Sequence, residues 1–141
     1  MLTIERPFLN QILEHLQNCY PQEGCGLVAG NEMGQVTNVY PIDNILQSPT
    51  TFQMEPRQQI KAMLDLEEQG WQMAAIYHSH PLGPEQPSIS DIQQAHYPET
   101  LTMIVSLKNR DEPTIRVFQI EEQTVTEKKM RVVQPTDKNC V

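Results

Sequence analysis

Two histidines, His78 and His80, stand one residue apart at the end of a continuous apolar run from Met73 to Tyr77. In an extended chain residues i and i+2 share a face, with Cα atoms about 6.5 Å apart, so both imidazoles can converge on one ion. Pro81 then takes the chain out of the strand. Ser88 and Asp91 follow in a Ser-x-x-Asp spacing that reads as a helix start. Catalytic zinc takes three protein ligands and leaves its fourth position to water. His78, His80 and Asp91 offer two nitrogens and one oxygen, enough for one Zn2+ per chain. Zinc held there would bring the pKa of water toward about 7 and polarise a carbonyl as a Lewis acid. Hydrolysis also needs a donor to a developing oxyanion and a carboxylate to manage a proton. Ser88 suits the first task. For the second, the residues alone leave Glu23, Glu32, Glu55 and Glu85 open.

Each fragment has an ordinary explanation. Ser-x-x-Asp is most often a helix cap, and His-x-His is most often a pair of packed or solvated side chains. Their combination, joined by Pro81 and six intervening residues, is much rarer, and a cap can itself orient a ligand aspartate. Cys25 as a nucleophile is the weaker reading, since a small residue between Gly24 and Gly26 suits packing. The Pro-Cys-x-x-Cys half of a zinc deaminase signature is absent. His15 and His96 lie on expected helices outside the motif, and Trp71 and Tyr77 are expected to pack against the sheet.

The elements that must position these residues follow from periodicity. Phe8, Leu9, Ile12, Leu13 and Leu16 predict a helix over 7–19, with Pro7 suited to its first turn. Residues 22–30 enter a short apolar strand, 30–34 read as a hairpin loop and 35–42 as the returning strand. Residues 51–54 read as a short extended piece. Pro56 opens a second helix over 56–69, with Ile60, Met63, Leu64 and Glu67 at three-four spacing and Gly70 as its stop. Strands are expected over 71–80, 101–107, 114–121 and 125–133, with a short helix from Ser88 to about His96. The pattern predicts one domain over 1–141, with an α/β (α+β) architecture: a mixed sheet flanked by helices. Residues 134–141 read as a frayed tail.

Composition narrows the partners. Ten basic residues against eighteen acidic ones give a net charge of −8, which argues against nucleic acid because phosphate binding needs a basic face. No apolar run is long enough to span a membrane, and the first residues do not read as a signal peptide. Three cysteines with no Cys-x-x-Cys pair fit a reducing, cytoplasmic setting. Oligomeric state is not legible.

The arrangement Glu23-Gly24-Cys25-Gly26, then His78-Ser79-His80-Pro81, six residues, and Ser88-x-x-Asp91 resembles the JAMM or MPN-plus family of zinc metalloproteases. The resemblance covers nearly the whole chain. It implies the curved mixed sheet of the MPN/JAMM (cytidine-deaminase-like) fold. It implies His78, His80 and Asp91 as zinc ligands, Glu23 as general base and then proton donor to the leaving amine, and Ser88 as the group steadying the tetrahedral intermediate. Such proteins cleave after the C-terminal glycines of ubiquitin or a ubiquitin-like protein. The stretch from Gln94 to Leu101 is too short for the second insertion carried by polyubiquitin-selective members. The resemblance therefore points to the short relatives that act on ubiquitin-like or sulfur-carrier proteins. Two alternatives stand beside this zinc metallopeptidase or isopeptidase: a non-catalytic scaffold of the same fold, and a zinc hydrolase of another amide. An extended Gly-Gly tail is expected to lie along residues 44–54.

Overall fold

Leu9, Ile12 and Leu16 are the buried face of helix α1 (Arg6–Cys19). Pro7 sits in its first turn, where a missing N–H has no helical partner to lose. The computed structural model describes residues 1–135 and places α1 directly after a short strand, β1 (Leu2–Glu5). There follow β2 (Cys25–Gly30), β3 (Val36–Ile42), α2 (Pro56–Glu68), β4 (Gln72–His80), α3 (Ile89–Gln93), β5 (Leu101–Ser106), β6 (Thr114–Glu121), β7 (Thr124–Lys128) and β8 (Met130–Val133).

Six strands form an open mixed sheet in the order β3-β2-β4-β5-β6-β7, in which β4 and β5 are the parallel pair. One face carries Ala75, Tyr77, Met103 and Val105 and packs on Leu9, Ile12 and Leu16 of α1. The other face is shared. Cys25, Leu27 and Ile42 pack on Ala62 of α2 and on Met54, while Ile104, Phe118 and Ile120 lie under Ile92 and Ala95 beside α3. This is the mixed, helix-flanked sheet expected from the periodicity, with β4 at its centre.

Gly26 shows how tightly the α1 face is packed. It pairs with Tyr77 across β2 and β4, and a Cβ at this position would stand 2.3 Å from the Tyr77 ring. Overpacking of a full core costs about 1–3 kcal/mol. Gly26→Ala should therefore lower the unfolding free energy from a urea titration by an amount of that order; an unchanged value would show that the Tyr77 ring yields without cost.

Four elements differ from expectation. β1 was not foreseen, because its strand character comes from parallel pairing with β8, Leu2 opposite Met130. The expected single strand over 125–133 is two strands. β7 continues the main sheet, whereas β8 leaves it for β1, a change of partner that alternation does not reveal. α3 stops at Gln93, short of His96, because Ala95 turns in to pack with Ile92 on Phe118 and Ile120. α2 presents Ala62 and Leu66 to the core and leaves Ile60 (58%) and Leu64 (60%) exposed; periodicity weighted the larger side chains and missed the face that contains alanine. Residues 136–141, with most of the expected tail, lie outside the described residues. Among the described residues no helix is long and apolar enough to cross a membrane.

Candidate metal centre

Strand alternation delivers the histidines. His78 and His80 point from the end of β4 to the face shared by α2 and α3, and both are buried, while Ser79 between them points the other way. Their Nε2 atoms lie 3.1 Å apart. Asp91 arrives from the first turn of α3, held by a complete capping box. The Asp91 N–H donates to Ser88 Oγ at 3.0 Å, and the Ser88 N–H donates to Asp91 Oδ2 at 2.9 Å. That same Oδ2 stands 3.1 Å from each histidine Nε2. Removing an N-cap hydroxyl costs about 0.5–2 kcal/mol. Ser88→Ala should lower the unfolding free energy of the zinc-free protein by that amount in a denaturant titration; no change would mean the backbone bond alone holds Asp91.

Three atoms mutually 3.1 Å apart make an equilateral triangle of two nitrogens and one oxygen. Tetrahedral ligands at zinc distances of about 2.0–2.1 Å have edges of about 3.3–3.4 Å, so the triangle matches a coordination face. Hydrogen bonds satisfy it poorly, because a carboxylate brings no proton and each Nε2 at most one. His80 Nδ1 lies 2.7 Å from the Pro84 carbonyl. Only an N–H is welcome there, so a neutral His80 carries its proton on Nδ1 and turns the Nε2 lone pair toward the triangle. A backbone acceptor of this kind commonly orients a metal-binding histidine. His78 is held differently. Its ring stacks on Phe52 with centroids 4.7 Å apart and planes at 29°, and its buried Nδ1 has no partner among the described residues.

Glu23 lies in the link between α1 and β2, is 4% exposed, and leaves its buried Oε1 without a partner among the described residues. Glu23, His78 and His80 form a buried cluster whose ligand atoms lie within 4.8 Å of one another, the makings of a single metal site. Two acids thus border the same histidine pair. Asp91 is the one whose oxygen already sits at coordination-edge distance from both nitrogens. Burial pushes the Glu23 carboxyl up to about 8, with His80 opposing and Asp91 reinforcing the shift. Burial also disfavours charge on Asp91, but the contacts with His78 and His80 and the Ser88 N–H outweigh it and hold that carboxyl well below the usual range. One environment therefore keeps Asp91 anionic and leaves Glu23 able to take and release a proton near neutrality.

Sequence reasoning missed two supports of this arrangement. Ser79 Oγ accepts from the Gly24 N–H at 2.9 Å, and the Ser79 N–H donates to the Gly24 carbonyl at 3.1 Å, which ties the link carrying Glu23 to β4. A middle residue with a hydroxyl on the face opposite two histidines was the available signal. Phe52 carried no signal; its stacking on His78 depends on the course of a loop. A groove of about 530 Å³ opens beside the triangle between the 46–54 segment and the 94–97 turn, with His78 and Asp91 at its base. His96, exposed and beyond the end of α3, also lines it.

Cys25 is fully buried with its Sγ 3.5 Å from the Ile42 carbonyl, and burial pushes its thiol up to about 12. It packs and does not attack. His15 Nδ1 contacts the Tyr77 hydroxyl at 2.7 Å on the α1 side of the sheet, remote in the fold from the triangle. Glu85 accepts from Thr114 Oγ1 at 3.2 Å and belongs to the outer loop.

Comparison with known families agrees with this geometry. A profile of prokaryotic homologs of the JAB domain matches residues 5–121, a span that holds both Glu23 and the whole His78–Asp91 motif. The chain belongs to this family. It is thereby an MPN/JAB1-domain protein of the JAMM zinc-metalloprotease type. A probable TtuB-protein conjugate cleaving protease of Thermus thermophilus is 40% identical over 98 residues, covering 69% of this chain and 65% of that JAB relative. The CysO-cysteine peptidase of Mycobacterium tuberculosis is 28% identical over 135 residues, covering 95% and 92%. Among solved structures, a protein of Desulfitobacterium hafniense superposes with a TM-score of 0.87 at 32% identity, covering 99% of this chain and 97% of its own. The JAB-domain sheet described above is therefore shared over nearly its full length.

Proposed function

We propose that this protein is a zinc metallopeptidase or isopeptidase, a single catalytic domain that hydrolyses the bond after the C-terminal Gly-Gly of a ubiquitin-like or sulfur-carrier protein. The observation that carries the reading is the 3.1 Å triangle of His78 Nε2, His80 Nε2 and Asp91 Oδ2, with the unpartnered Glu23 Oε1 buried beside it. His78, His80 and Asp91 would hold one zinc ion per chain, which supplies Lewis acidity toward a scissile carbonyl and toward water. Glu23 takes the proton of the attacking water on its carboxylate and returns it to the leaving amine. In the metal-free site burial brings the carboxyl close to working pH, the range in which a group can both take and return a proton. Ser88 Oγ accepts from the Asp91 N–H, so its hydroxyl proton is left to donate to the developing oxyanion.

The substrate class is supported by the relatives, one named for cleaving TtuB-protein conjugates and one for acting on CysO-cysteine. The groove supports it too. Gln53 bonds inward, accepting from the Ile45 N–H and donating to Asn44, and the Glu55 N–H likewise donates inward to the Asp43 carbonyl. Alternation then turns the backbone groups of Phe52 and Met54 toward the groove, where an extended Gly-Gly tail can add as a strand. Gln53 lines that groove. Gln53→Glu should raise KM for an extended carrier several-fold with zinc content unchanged; an unaltered KM would remove this path for the tail. We place the enzyme in the cytoplasm, where its free thiols Cys19 and Cys25 stay reduced.

The deciding assay incubates the zinc-loaded protein with ubiquitin-like carriers extended past Gly-Gly, with and without a chelator. Cleavage directly after Gly-Gly that the chelator abolishes is the expected result. Zinc-loaded protein that leaves every such carrier intact would overturn the proposed activity.

A further inference from the structure

Asn44, half-buried at the end of β3, uses its entire side-chain amide. Its Nδ2 donates to the Glu23 carbonyl at 3.0 Å and to the Thr51 carbonyl at 3.1 Å. Its Oδ1 accepts from the Leu46 N–H at 3.1 Å and from the Gln53 N–H at 3.0 Å. An amide has two donor hydrogens and two acceptor lone pairs, and all four are engaged.

These bonds reach two sides of the metal centre. Thr51 and Gln53 bracket Phe52, the residue stacked on His78. Glu23 lies outside any strand, so no ladder fixes it. Its N–H donates to the Ser48 carbonyl at 2.8 Å, in the same loop that Asn44 closes, and its carbonyl is held by Asn44 itself. On the far side Gly24 is bound to Ser79 of β4, next to both histidines. The loop is further closed by Ile45 N–H to Gln53 and Glu55 N–H to Asp43, each at 2.9 Å.

We infer that Asn44 is a positioning residue: a single amide that sets the buried acid Glu23 against the His78 side of the centre through Phe52. Its catalytic consequence rests on the reading of Glu23 as the proton carrier. Asn44→Asp separates the two halves of the amide. The carboxylate still accepts from Leu46 and Gln53, but it sets a negative charge against the carbonyl oxygens of Glu23 and Thr51.

The experiment measures steady-state cleavage, zinc content and amide hydrogen exchange on Asn44→Asp and wild type. Expected are a kcat lowered about 10–100-fold, the range for supports of a metal centre, with KM within about threefold and zinc content unchanged. Exchange of the Glu23 amide should quicken about tenfold or more while amides of β4 keep their protection. A kcat within twofold of wild type, or an unchanged Glu23 amide, overturns the inference. Should Asn44→Asp fail to fold, native-state exchange on wild type decides instead. The Glu23 and Gln53 amides should open together with similar protection, and independent opening overturns the link. Wild type that cleaves no extended carrier defeats the proposed function, while the exchange result still decides the role of Asn44.

Discussion

Glu23→Gln should stop peptide cleavage and leave both the fold and the zinc in place. Glutamine keeps the size of the side chain and cannot carry a proton between water and the leaving amine. General acid–base catalysis is worth about 10²–10⁴-fold, and here one group serves both proton transfers, so the expected loss in kcat is about 10³-fold or more. The substitution is gentle structurally. Glu23 is 4% exposed with an unpartnered Oε1, and burial already raises its carboxyl to about 8, so the pocket tolerates a neutral group. Initial rates on an extended carrier, with zinc measured by elemental analysis on the same sample, separate the roles. Loss of rate with zinc retained identifies the proton carrier. Loss of zinc along with the rate would make Glu23 a ligand, the alternative that its closeness to both histidines leaves open.

Asp91→Ala should produce the opposite pattern, in which zinc goes first. The substitution removes the oxygen at 3.1 Å from both Nε2 atoms and half of the Ser88 capping box. Of the three proposed ligands only the two imidazoles remain, and unless Glu23, within 4.8 Å of both, takes the vacated place, zinc should be lost on dialysis. In wild type, free zinc at about a thousandfold above its dissociation constant adds about 4 kcal/mol of stability, a rise in Tm on the order of 10 °C for a domain of this size. The variant should show neither the zinc nor the rise, and His80→Ala should behave likewise. A thermal-shift titration with zinc over wild type, Asp91→Ala and Glu23→Gln reads both predictions together. If Asp91→Ala still gains the full rise, the third ligand is not Asp91.

The centre was legible in the sequence where its parts depend on local rules. Alternation along an apolar run puts His78 and His80 on one face, and the Ser88-x-x-Asp91 spacing forms the capping box that the structure contains. Glu23 was a different case, since spacing alone left it among several glutamates, and only the family resemblance singled it out; the structure brings it to the histidines across the turn from α1 into β2. Asn44 and Phe52 were not legible, because their contacts depend on where a loop returns, whereas Ser79 left a signal only in its place between the two histidines. The fold follows the same division. α1 shows its buried stripe in its own spacing, while β1 and β8 owe their existence to each other, with paired residues 128 positions apart. The misjudged face of α2 belongs with them, because Ala62 becomes a core residue only once the sheet lies beneath it.

Consider β4 as a length of chain. It is hydrogen-bonded on both sides, antiparallel to β2 and parallel to β5, and its two faces hold incompatible cargo: Ala75, Tyr77 and Ser79 toward α1, His78 and His80 toward the centre. Past the bulge at Ala74 the alternation is unbroken, and a single inserted or deleted residue between 75 and 80 would exchange the two sets, carrying imidazoles into an apolar core and a tyrosine to the centre. Descendants of this chain are therefore free to change residues over 75–80 but not their number. Gains and losses of length should accumulate at 31–35, 94–100 and 107–113, and not at 81–87, where the Pro84 carbonyl holds His80. The two histidines are spaced by the same rule that keeps the core dry, so a frameshift in one is a frameshift in the other.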